Sequence, residues 1–218
     1  MTPSNTTHPM HTGATLGLLT CLAIGLCLTV AKIAGPQINI NQHKAMLNLF
    51  QDVLPANEFN NNVDQSHFTL PKKMILSSKS LAIRQQDPVY IATLDEVPVA
   101  LLFNVEALKG YGGAIRLLVA LYVDGQVAGV RVIPPHQETP GLGDKIELKK
   151  SDWILQFRYT SLENPANWSI SQPSSHFDTL TGATITPKAV VDAVYDLLLF
   201  YREHKTTLWT IAQTHQVP

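Results

Sequence analysis

Residues 178–187 read Asp178-Thr-Leu-Thr181-Gly182-Ala183-Thr184-Ile-Thr186-Pro187, and the stretch runs straight into a helix. Thr186 suits an N-cap, and Pro187 suits the first helical position, where a missing N–H costs nothing. Val190, Val194, Leu197, Leu198 and Tyr201 then recur at i, i+4, i+7, i+8 and i+11. That spacing predicts one apolar stripe on a helix over 186–203, which must bury itself against another layer. Thr184 therefore stands one short turn before a helix N-terminus, where free N–H groups and the dipole favour a phosphate. Gly182 permits a backbone geometry that other residues avoid, and Ala183 leaves space beside the Thr184 hydroxyl. The plain alternative is a surface turn followed by a capped helix.

The layer for that helix lies upstream. Residues 115–123 (IRLLVALYV) and 126–133 (QVAGVRVI) flank Asp124-Gly125. Asp-Gly between two β-rich runs predicts an antiparallel hairpin with a type I′ turn. Residues 89–94 and 99–105 read as two further strands on their β-branched and aromatic content, whereas 68–86 is ambiguous. The expected class is α+β: a twisted antiparallel sheet with helices packed on it.

Residues 13–31 carry no charge, a run close to the roughly 20 residues that cross a bilayer. A cleavable signal peptide wants a basic start and a small-x-small site, and residues 1–12 contain no Lys or Arg. An uncleaved anchor over 13–33 is expected, after a tail at 1–12 and before a linker at 34–43. The soluble domain is expected at 44–204, opening with an amphipathic helix over 44–54, and 205–218 reads as a tail. Both cysteines, Cys21 and Cys27, lie in the anchor, so the soluble part has no thiolate for an iron–sulfur cluster. With 16 basic against 17 acidic residues, charge makes no case for nucleic acid.

Two loops near the hairpin are rich in small residues. Gly110-Tyr111-Gly112-Gly113 precedes it; this is either a tight entry into the strand or a cofactor-facing loop. After it comes His136-Gln-Glu138-Thr139-Pro140-Gly141-Leu142-Gly143-Asp144-Lys145-Ile146. Pro140-Gly141 is a turn pair and Gly143 allows a second reversal. A carboxylate, a hydroxyl, a lysine and a projecting leucine are thus held together, beside backbone that a flat ring can approach.

Asp178-x-x-Thr181-Gly182-Ala183-Thr184 resembles the flavinylation motif of covalent FMN-binding domains, and Glu138-Thr139-Pro140-Gly141-Leu142-Gly143 resembles their second signature loop. Gly110–Gly113 and residues 153–157 (WILQF) match as well, so the resemblance covers 44–204. Pro187 stands where such motifs often carry Ser or Thr. The resemblance implies FMN joined to Thr184 by a phosphoester, installed by a flavin transferase that reads Asp178, Thr181, Gly182, Ala183 and Thr186. It implies a ring contacted by Glu138, Thr139, Gly141, Leu142, Gly143 and Lys145, with Gly112 and Gly113 nearby. Leu142 is placed to cover a ring face, and Lys145 or backbone N–H groups to stabilise a reduced, anionic flavin. Asp178 serves either attachment or only the turn, and Lys145 has the alternative of an ordinary solvated charge.

The anchor and motifs together are similar to those of flavin subunits in Rnf-type ion-translocating electron-transport complexes. That likeness implies an electron carrier between ferredoxin and NAD, working with membrane and peripheral subunits. It also implies a bacterial inner-membrane location with the domain on the periplasmic side, where such transferases act. Flavin subunits of sodium-translocating NADH:quinone reductases are the alternative, and a non-redox, membrane-anchored interaction module is a third. The chain has no Gly-x-Gly-x-x-Gly in a βαβ setting, no His-Glu-x-x-His and no Gly-x-Ser-x-Gly, which argues against direct NAD binding, a zinc protease or a hydrolase. His136 and His176 read as polar loop residues rather than ligands.

Overall fold

A computed structural model describes residues 9–77, 83–84, 86–164, 168–170 and 175–215. Part of the ambiguous 68–86 stretch and most of the N-terminal tail lie outside them. The chain divides into two compact units, Met1–Met46 and Leu47–Pro218.

The first unit is helical. Helix α1 runs Pro9–Val53, and Gly13–Ile38 within it has a mean hydropathy of 2.2 with none of its apolar window buried. At 1.5 Å per residue those 26 residues extend about 39 Å, more than the roughly 30 Å of a bilayer's hydrocarbon core. Residues 34–43, expected as a linker, are helical through Pro36. Leu47–Val53 belongs to the second unit.

That unit is built on five antiparallel strands in sequence order: β1 His67–Thr69, β2 Pro88–Leu94, β3 Val97–Ala107, β4 Ile115–Tyr122 and β5 Val127–Ile133. The register aligns Ile91 with Leu101, Phe103 with Val119, and Val119 with Val130. These side chains share one face. Short helix α2, Lys72–Ser77, resolves part of the ambiguous stretch. Helix α3, Ile185–Thr214, lays Val190, Val194, Leu197, Leu198 and Tyr201 into the same core as the sheet face. The stripe read from the sequence is therefore the helix face that packs.

The opposite face is buried too. Phe50 meets Tyr90 edge-on at 4.8 Å between ring centroids, and the backbone of Val53 lies against Gly129. Arg131, buried on this face, donates to the carbonyl of Asp52 and so caps the end of α1. Cover on both faces explains why β5 is buried along its whole length instead of alternating.

The hairpin falls where expected, but its turn is different. Gly125 N–H donates to Tyr122 O, and Tyr122 N–H to Gln126 O. Of the turn residues only Gly125 has positive φ, at 99°. A type I′ turn needs two such residues, so this is a three-residue loop with glycine at its left-handed position. The type I′ pattern lies instead between β2 and β3, where Asp95 and Glu96 have φ of 50° and 65°. No glycine is present there; the Asn60 side chain holds Asp95 through both its backbone N–H and its carboxylate. The expected tail also differs. Helix α3 continues past 204 because Leu208 and Ala212 are buried and Trp209 Nε1 donates to the Tyr201 hydroxyl at 2.6 Å.

Candidate functional site

Two tight turns of one design face each other beside the N-terminus of α3. In the first, Leu142 N–H donates to Thr139 O, and Gly141 at the third position has φ of 78°. In the second, Ala183 N–H donates to Leu180 O, and Gly182 has φ of 83°. Both have the form of type II turns, with Pro140 and Thr181 at the second position. They touch: a Cβ on Gly182 would come 2.9 Å from Leu142 Cδ2.

Each turn is pinned from behind. Asp144, itself buried, accepts from Gly141 N–H at 2.7 Å. Buried Leu180 anchors the second turn. Trp153 Nε1 donates to Asp178 O at 2.7 Å, and Asp178 N–H donates to Gln156 Oε1 at 2.8 Å. The WILQF segment thus holds the start of the Thr184 motif by its backbone.

Glu138 joins the pieces. It is 5% exposed; one carboxylate oxygen accepts from Gly112 N–H at 3.0 Å and the other from the Thr186 hydroxyl. A Cβ on Gly143 would stand 2.9 Å from the same carboxylate, so that glycine is a matter of close approach. The expected N-cap role of Thr186 gives way to this contact. Helix α3 begins two residues earlier than that reading required, at Ile185, and Thr184 is the N-cap. The cause is tertiary: a buried carboxylate needs donors more than a helix end open to water does. His136 completes the support. Its Nδ1 accepts from Glu138 N–H at 3.2 Å, which leaves Nε2 as the donor to Glu147 Oε1 at 2.6 Å.

Thr184 makes no side-chain capping bond and is exposed, with φ −102° and ψ −29°. It lines a cleft of about 290 Å³ together with Tyr111, Thr139, Leu142, Gly143 and residues 182, 183, 185 and 186. Tyr111, Leu142 and Ile185 are 69%, 40% and 51% exposed, an apolar rim around a free hydroxyl. The residues fit a covalently held flavin phosphate. The hydroxyl is available for ester formation, the first N–H groups of α3 are orphans in need of an acceptor, and the rim is apolar. When bound, such a group supplies the electron chemistry, and the protein supplies its position and surroundings.

The sequence-predicted residues sort into three layers. Thr184, Gly182, Ala183, Thr186, Thr139, Leu142 and Gly143 line the cleft. Glu138, Gly112 and Gly141 lie behind it as supports, and Gly113, with φ of 126°, shapes the loop carrying Tyr111. Asp178, Thr181 and Lys145 are not among the lining residues. Asp178 and Thr181 are exposed beside the second turn, and the carbonyl of Lys145 accepts from Ser151 Oγ. Tyr111 and Ile185 were missed. Tyr111 stands inside the glycine run that the sequence singles out, and Ile185 between the two motif threonines.

The model of the FMN-binding domain family matches residues 110–199, which span the glycine loop, both turns and the first half of α3. The chain is also similar to proteins described as the G subunit of an ion-translocating oxidoreductase complex. The one from Shewanella oneidensis is 34% identical over 93% of this chain and 94% of its own length. The one from Pseudoalteromonas atlantica is 36% identical over 91% and 90%. The one from Escherichia coli K12 is 40% identical over 84% and 85%. The chain belongs to this family of G subunits. Membership accounts for the pairing of a single apolar helix with an FMN-binding domain: the protein is a membrane-anchored flavin protein.

Proposed function

We propose that the protein carries electrons on an FMN joined by a phosphoester to Thr184, within an ion-translocating complex that connects ferredoxin and NAD. The observation that carries this reading is exposed Thr184 at the start of α3, without a side-chain capping bond, in the lining of a cleft with an apolar rim. Other membrane and peripheral subunits are its partners, and a flavin transferase loads it during maturation. The names of the relatives, each the G subunit of an ion-translocating oxidoreductase complex, support the assignment to a carrier subunit. The domain after the anchor lies on the periplasmic side, because loading requires Thr184 to meet its transferase there.

Within the site, Leu142 and Tyr111 would hold the ring, Thr139 and Gly143 would offer backbone to it, and the first turn of α3 would bind the phosphate. Asp178, exposed beside the turn and outside the cleft, belongs to the surface the transferase reads. Lys145 contributes positive charge at longer range.

Joining the flavin phosphate to the Thr184 hydroxyl formally releases one water. Protein purified from its own host is therefore expected to exceed its sequence mass by FMN less water, on the peptide containing Thr184. Thr184→Ala is expected to remove that mass and leave the fold intact, since an exposed turn threonine contributes within about 0.5 kcal/mol. Modification found on Thr181 or Thr186 instead would refute the assignment.

A further inference from the structure

We infer that Glu138 sets the reduction potential of the flavin through its buried charge, acting from behind the cleft wall as a positioning and tuning residue. The inference rests on the FMN reading above.

Glu138 only accepts. Gly112 N–H and the Thr186 hydroxyl donate to its two oxygens, the pattern of an ionised carboxylate. Both donors are neutral. Among the described residues no ion pair involves Glu138, whereas Asp144 and Asp192 each have a lysine partner. A carboxylate 5% exposed, held by neutral donors beside the start of α3, places a negative charge in a region that water screens poorly. It also lies close to the cleft. Thr186, bonded to it, and Gly143, packed on it, are both lining residues. A single layer of protein separates the charge from the cleft.

The sign follows from charge balance. Two electrons and one proton added to the oxidised ring leave the ring with one net negative charge. A fixed negative charge behind the wall opposes that change and lowers the potential. Its removal raises the potential. Glu138→Gln makes this change with little else: the amide oxygen can accept from Gly112 N–H, and the amide N–H can donate to the Thr186 hydroxyl. Glu138→Asp does the opposite, keeping the charge and losing reach to one of its donors.

The experiment is a spectroelectrochemical titration of the full-length, flavin-loaded protein and both variants in detergent, with occupancy at Thr184 checked by mass. Glu138→Gln is expected to shift the midpoint positive by at least tenfold in the reduction equilibrium, about 30 mV for a two-electron couple. Its melting temperature is expected to stay near wild type. Glu138→Asp is expected to melt lower but titrate at the wild-type potential. An unchanged or more negative midpoint for Glu138→Gln overturns the inference. So does a Glu138→Asp shift as large as that of Glu138→Gln, which would make shape the cause. Should Glu138→Gln fail to fold, Glu138→Ala takes its place as the charge-removing variant: a positive shift supports the inference, and an unchanged or more negative midpoint overturns it. Wild-type protein lacking flavin at Thr184 would instead overturn the reading beneath it.

Discussion

Gly182→Ala tests whether the two facing turns hold the cleft together. Gly182 has φ of 83°, and its new Cβ would stand 2.9 Å from Leu142 Cδ2. Two costs follow. A left-handed backbone at a non-glycine residue costs about 1–2 kcal/mol. Leu142 must also turn aside, and an off-rotamer side chain costs about 0.5–1.5 kcal/mol. The sum is on the order of 2 kcal/mol. For a domain of this size each kcal/mol moves the melting temperature by about 2–4 °C, so a drop of roughly 4–8 °C is expected. The assay is thermal melting of flavin-free protein, so that cofactor binding does not contribute. Trp153 fluorescence is the probe, since its indole N–H is bonded to Asp178 O beside this turn. Leu142→Ala in the same chain removes the clash but not the backbone strain, and should restore about a third of the loss. A melting temperature within 1 °C of wild type would refute the argument. A double variant as unstable as Gly182→Ala alone would show that the turns do not touch.

Leu142→Ala should shift the flavin's midpoint potential and leave attachment intact, because Leu142 lines the cleft. Lys145→Ala should shift it less, its side chain being outside the lining; equal shifts in the two titrations would contradict this. The Tyr201 hydroxyl is pushed up to about 12, by burial first and then by Asp124, against the hydrogen bond from Trp209. Its protonated form is the one the fold holds, so its contribution is complete below pH 10 and is lost as pH rises from 10 through 12. Melting temperatures across that range should fall more steeply for wild type than for Tyr201→Phe, and parallel curves would exclude the residue. Protease added to spheroplasts should digest the domain after the anchor while cytoplasmic controls stay whole; protection until the membrane is permeabilised would reverse the topology.

What the sequence determined by itself was local. The stripe from Val190 to Tyr201, the uncharged run over 13–31 and the strands around Asp124-Gly125 are written as periodicity and turn chemistry between near neighbours. The turn ahead of Thr184 was legible for the same reason: a glycine just before a helix start is a local pattern. The tertiary structure decided whatever depended on distant partners. The sequence placed Glu138 at the flavin ring, but its partners Thr186 and Gly112 are 48 and 26 residues away, and no spacing rule connects them. Thr186 looked like a cap until that carboxylate claimed its hydroxyl. Trp209 and Leu208 looked like a tail because their burial depends on Tyr201 and the sheet, not on any motif of their own. Tyr111 became a wall of the cleft only when Glu138 bound the neighbouring Gly112 N–H. A hydrogen bond across the fold forms between groups whose separation along the chain is arbitrary, so only the packed structure can say which of them meet.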